Sequence, residues 1–189
     1  MSIIIIAALV FVVIWLVSYF VSVYNGLIMV SRNIDKAWAN IDVLLKQRHD
    51  EIPKLISVCE GYMKYERETL EKITAARTSC IQAKSVEDSS QAEGDLAKSL
   101  KTLFAVAENY PDLKANANFT QLQARVSYLE SQITDRREFY NDSVNIYNIR
   151  INEIPDVFIA RQLNMQSRDL FKVADEDKQD VNIKFDLPK

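Results

Sequence analysis

Glycine and proline are nearly missing from this chain, with 3 and 4 respectively in 189 residues. So few chain-turning residues argue for a small number of long helices joined by short loops. Histidine is scarcer still: His49 stands alone, and the only cysteines are Cys59 and Cys80. One histidine cannot supply the two Glu-x-x-His motifs of a di-metal helical bundle. Two cysteines 21 residues apart match no zinc spacing. Three glycines offer no phosphate-cradling loop, and a serine or cysteine nucleophile would lack a base. The expectation is a protein that is not an enzyme and carries no metal, cofactor or small-molecule substrate. The 23 bases and 26 acids give a net charge of −3 with no broad basic field, which excludes nucleic acid as a natural partner.

Charge is also missing from the whole N-terminal segment, where the first charged side chain is Arg32. Ile3 to Tyr24 contains no Asp, Glu, Lys, Arg, Pro or Gly. Crossing the hydrocarbon core takes about 20 apolar residues, so this run is long enough to span. A secretory signal would carry a basic residue before a shorter apolar run and a small-residue cleavage site after it; neither is present. Bases follow the run, at Arg32, Lys36, Lys46 and Arg48, and none precedes it. That asymmetry places the bulk of the chain in the cytoplasm. Cys59 and Cys80 occupy apolar helical positions, as they would in a reducing compartment.

The rest of the chain is organised by apolar stripes. Leu27, Ile34, Trp38, Ile41 and Leu45 mark a helix leaving the membrane. Pro53 then offers two readings. It fits the first turn of a new helix, with Asp50 positioned to cap it, or it kinks one continuous helix at a cost of about 3 kcal/mol. The hairpin is favoured, because four amphipathic segments bury their stripes economically as a bundle. Leu55, Cys59, Tyr62, Leu70, Ile73, Ala76 and Cys80 form the second stripe. Ser85 to Gly94 lacks periodicity and reads as a loop. Leu96 to Ala107 forms a third helix, and Phe119 to Ile151 a long fourth that stops at Pro155. The final VNIKFDLPK alternates apolar and polar residues as a strand would.

Certain side chains stand out within these stripes. Arg48 and Arg136 fall in apolar slots. Each must either snorkel to a solvated rim or pair with a carboxylate inside the bundle, the candidates being Asp42, Asp50, Glu60, Glu108 and Asp112. Tyr140-Asn141 and Tyr147-Asn148 repeat at seven residues, which suits core packing with each phenol at the rim. Ser18, Ser22 and Gly26 stand four apart on the anchor, a spacing that lets transmembrane helices approach closely. Phe158, Leu163 and Phe171 lie in a segment of apolar residues interspersed with Arg161, Arg168 and Lys172. Such a segment suits an interfacial helix on anionic lipid, or the closing of the bundle's own core.

Four blocks identify a family resemblance. They are AWANIDVLLKQRHDEIPKLI from Ala37, GYMKYERETLEKITAAR from Gly61, LFAVAENYPDLKAN from Leu103 and EFYNDSVNIYN from Glu138. Together they resemble the LemA family of bacterial membrane-anchored proteins. The resemblance implies an up-and-down helical bundle on an N-terminal anchor in the bacterial inner membrane, with no established reaction. It also implies the company of membrane protease systems, and a relative takes part in shaping magnetosome membranes. Past Pro155 the chain departs from the family's Gly-Phe-rich pattern and reads IARQLNMQSR.

The expected architecture is therefore all-α: an N-terminal transmembrane helix (1–26), an up-and-down four-helix bundle (27–173) and a tail (174–189). Three long helices with a kinked first helix is the alternative. The expected role is a membrane-anchored scaffold, or interaction protein, that self-assembles at the bilayer. The other role kept open is an adaptor or regulatory subunit of a membrane metalloprotease.

Overall fold

The computed structural model describes residues 2–172. The helices are α1 (Ser2–Glu60), α2 (Arg67–Gln82), α3 (Val86–Ala107), α4 (Pro111–Lys114), α5 (Ala117–Arg150) and α6 (Asp156–Gln162). The chain is all-helical with a long apolar N-terminal helix. The expected strand in the tail lies outside the described residues.

α1 passes through Pro53 without ending, which corrects the expected hairpin at that residue. A proline at this point removes the hydrogen bond to the carbonyl four residues earlier, that of His49. That carbonyl instead accepts from the Arg77 Nε on α2, at 2.8 Å. The break comes at Gly61, where Tyr62 N and Met63 N both turn back to the Cys59 carbonyl. A second correction concerns Ser85 to Gly94. Ser85 caps α3, its Oγ accepting from the Asp88 amide at 3.0 Å, and Val86 to Gly94 is helical. Periodicity failed there because small and acidic residues, not leucines, carry the buried positions Ser90, Ala92 and Glu93.

The chain divides into two compact units. One comprises Arg48–Tyr128 together with Phe171 and Lys172. Here the end of α1, α2, α3 and the start of α5 alternate in direction. Ile52, Leu55, Cys59, Leu70, Ile73, Leu96, Leu100, Leu103 and Phe119 form its core. Asn116 caps α5, its side-chain oxygen accepting from the amides of Asn118 and Phe119. Phe171 is buried in this unit, and the Lys172 carbonyl accepts from the Ser90 hydroxyl.

The other unit comprises Met1–Gln47 and Leu129–Leu170. In it α1 and α5 run antiparallel. The Trp38 and Tyr140 rings lie 5.6 Å apart, and the Arg150 guanidinium sits against Gly26. Leu27, Ile34, Ala37, Ile41 and Leu45 face this pairing from α1; Ile133, Tyr140, Val144, Tyr147 and Ile151 face it from α5. The last turn of α5 thus lies beside the end of the apolar run. α1 is the one helix among the described residues long and apolar enough to cross a membrane, and the side chains from Ser2 to Ser22 are exposed.

Beyond Gln162 the chain turns at Leu163 and Asn164 and then has no helix through Lys172, so no continuous interfacial helix runs from Phe158 to Lys172. The extended stretch runs back along α5. Its carbonyls at Gln166 and Asp169 accept from the Tyr147 and Tyr140 hydroxyls, each at 3.0 Å. Asn148 grips Arg168 from both sides, donating to its carbonyl at 3.0 Å and accepting from its amide at 2.9 Å. A segment with no strand or helix of its own must satisfy its backbone elsewhere, and the Tyr-Asn repeat supplies those partners.

Candidate functional site

The strongest concentration of chemistry lies where α1, α2 and α3 meet in the Arg48–Tyr128 unit. Arg48 is fully buried and forms an ion pair with Glu93, itself buried. The other Glu93 oxygen, Oε1, lies 2.8 Å from His49 Nε2. Cys80, at the end of α2, closes the group: one ligand-type atom from each of His49, Cys80 and Glu93 lies within 4.8 Å of the others. The i to i+1 step on α1 serves both partners. Arg48 points into the core, while His49 sits at its edge, its side chain 12% exposed.

The electrostatics follow from this arrangement. Burial pushes the Glu93 carboxyl up, but the His49 hydrogen bond and the Arg48 charge outweigh it and hold the group below the usual range. Burial, helped by the negative Glu93, pushes the Cys80 thiol up to about 12. Burial alone raises Cys59 to about 11. Both cysteines are buried and unbridged, as their apolar positions led one to expect.

Of the two arginines singled out in the sequence, Arg48 is buried and paired, but not with any acid proposed for it. Its partner Glu93 lay hidden in the stretch misread as a loop. Arg136 is exposed, which overturns the buried reading. The stripe on α5 advances by four from Ile133, so the slot belongs to Arg137, whose Nε and Nη2 are shielded from solvent. Tyr140 and Tyr147 are buried rings with bonded hydroxyls, as core packing requires. Ser18 and Ser22 are exposed on the anchor. Gly26 is committed within the chain: a Cβ there would come within 2.9 Å of Arg150 Nη2, and Arg150 in turn pairs with Asp156 at 2.6 Å. Phe158 is exposed, Leu163 half-buried and Phe171 buried. Sequence reasoning missed Glu93, Arg77 and the approach of Cys80 to His49, because these meet only through packing of separate helices. The one legible signal was Arg48 in its apolar slot, which called for either a solvated rim or an acid.

Comparison with known proteins places the chain. "Protein LemA" of Metamycoplasma hominis is 28% identical over 176 residues, covering 87% of this chain and 76% of that protein. The magnetosome proteins MamQ 1 and MamQ 2 of Paramagnetospirillum magneticum are each 32% identical over 69 residues, 36% of this chain and 25% of theirs. The LemA family model matches residues 37–185, which takes in α1 from Ala37 and every later helix among the described residues. The chain belongs to the LemA family.

Proposed function

We propose that the protein is a non-enzymatic, membrane-anchored helical scaffold that assembles with its own copies at the bilayer. The observation that carries this reading is an apolar face on α5 that stands exposed among the described residues. Phe139, Ile146 and Ile149 are 54%, 53% and 46% exposed, while Tyr140, Val144 and Tyr147 face α1. Phe139 and Ile146 stand one heptad apart, the repeat by which helices of neighbouring chains interlock. Their unit also contains the apolar run, so copies held in one membrane would present this face to one another at high effective concentration.

The bilayer is the second partner. Ile154 and Phe158 are 79% and 65% exposed in the unit whose α5 ends beside Gly26. With Arg161 they suit the headgroup boundary of anionic lipid. The bases after the apolar run support a single-pass protein of the inner membrane with its bulk in the cytoplasm. A photocrosslinking residue at Ile146, used in intact cells, tests the scaffold. Crosslinks between copies are the expected result. Crosslinks to a membrane protease alone would replace the scaffold with an adaptor.

A further inference from the structure

We propose that His49, Cys80 and Glu93 form a site for a single transition-metal dication of the zinc type, which would staple α1, α2 and α3 together. The three residues offer a nitrogen, a sulfur and an oxygen from three different helices, all within 4.8 Å of one another. Bonds to zinc of about 2.0–2.3 Å would bring such atoms to about 3.3–3.8 Å apart. Shifts of under about an ångström in side chains at helix ends or edges reach that spacing. A water completes the fourth position. His49, 12% exposed in its side chain, gives the route of entry.

Arg48 has a defined place in this arrangement. Its guanidinium pairs with Oε2 of Glu93 and leaves Oε1 turned toward His49 Nε2. Metal-bound carboxylates are commonly held in this way by a partner behind them. The mixed donor set favours zinc, cobalt or copper over magnesium or calcium, which prefer oxygen alone. On binding, the Cys80 S–H proton is released to solvent and the sulfur bonds the metal. The thiolate and the Glu93 carboxylate then balance the two positive charges of the ion. The remaining Arg48 charge sets the affinity below that of an all-thiolate site.

No spacing in the sequence announces this site, because each helix contributes one ligand. The role goes beyond the scaffold reading and stands or falls apart from it.

The test is cobalt(II), added to the purified full-length protein in detergent, followed by absorption spectroscopy and thermal melting with zinc(II). The expected result is a thiolate-to-cobalt charge-transfer band, with visible bands of four-coordinate intensity, at one ion per chain. Zinc should raise the melting temperature. Cys59→Ala should keep the band and Cys80→Ser should abolish it. His49→Gln, at a position partly open to solvent, should weaken binding by about tenfold or more. Absence of the band in the folded wild type at excess cobalt would overturn the proposal. A band that survives Cys80→Ser would overturn it equally.

Discussion

The Arg77 Nε donates to the main-chain carbonyl of His49 at 2.8 Å, and this carbonyl is the one that Pro53 leaves without a partner. Proline in a helix interior costs about 3 kcal/mol, partly through the hydrogen bond it cannot make. Here a side chain from the neighbouring helix supplies that bond. The proline-containing turn of α1 is therefore also a point of attachment for α2.

A double-mutant cycle checks the relationship. Arg77→Met should destabilise the protein by about 1.5–3 kcal/mol, the range for a hydrogen bond from a charged donor. Pro53→Ala restores an amide donor to the His49 carbonyl. In that background the same arginine change should cost markedly less. Equal costs in both backgrounds, read from denaturant melts, would show that the contact is incidental.

The buried pair of Arg48 and Glu93 predicts an asymmetry. Glu93→Leu removes the carboxylate that faces a buried guanidinium and should cost about 3–5 kcal/mol. The joint change Arg48→Met with Glu93→Leu removes both charges and should recover most of that loss. A double variant as unstable as the single would mean that packing, not charge, dominates the position.

How much of this was legible in advance depended on what each residue demands locally. The apolar run from Ile3 to Tyr24, the stripes of α1 and α5 and the place of Arg48 in an apolar slot follow from periodicity, which needs no knowledge of partners. Pro53 was misjudged because the carbonyl it orphans is satisfied from another helix, a fact no local rule contains. The segment from Ser85 to Gly94 was misjudged because its buried face is built of serine, alanine and glutamate. Glu93, the acid that pairs with Arg48, became invisible with it. The Arg136 error was one of phase: a stripe advancing by four selects Arg137.

The extended stretch beside α5 depends on side chains rather than on a ladder of its own. Asn148 holds both backbone groups of Arg168, at 3.0 and 2.9 Å. Asn148→Ala leaves α5 intact and should loosen that stretch, since alanine favours helix. Limited trypsin digestion should then cut after Arg168 several-fold faster than in the wild type. Unchanged cleavage would show that the tyrosine hydroxyls suffice.

The proposed cytoplasmic placement is checked by an introduced thiol. Burial pushes Cys59 to about 11 and Cys80 to about 12, so both native thiols react slowly. Asp88→Cys puts a reactive group on the exposed first turn of α3. In intact cells it should resist a membrane-impermeant maleimide and label only after the membrane is opened. Immediate labelling would place this part of the chain outside.

Self-assembly at the membrane is the centre of the account, and the mass of the full-length protein in lipid nanodiscs or mild detergent tests it most directly. Wild-type protein should run as oligomers, and Phe139→Glu with Ile146→Glu should shift it toward single chains while helicity and melting temperature hold. Wild-type protein that is monomeric at every concentration, or oligomers unmoved by the two glutamates, would contradict the scaffold.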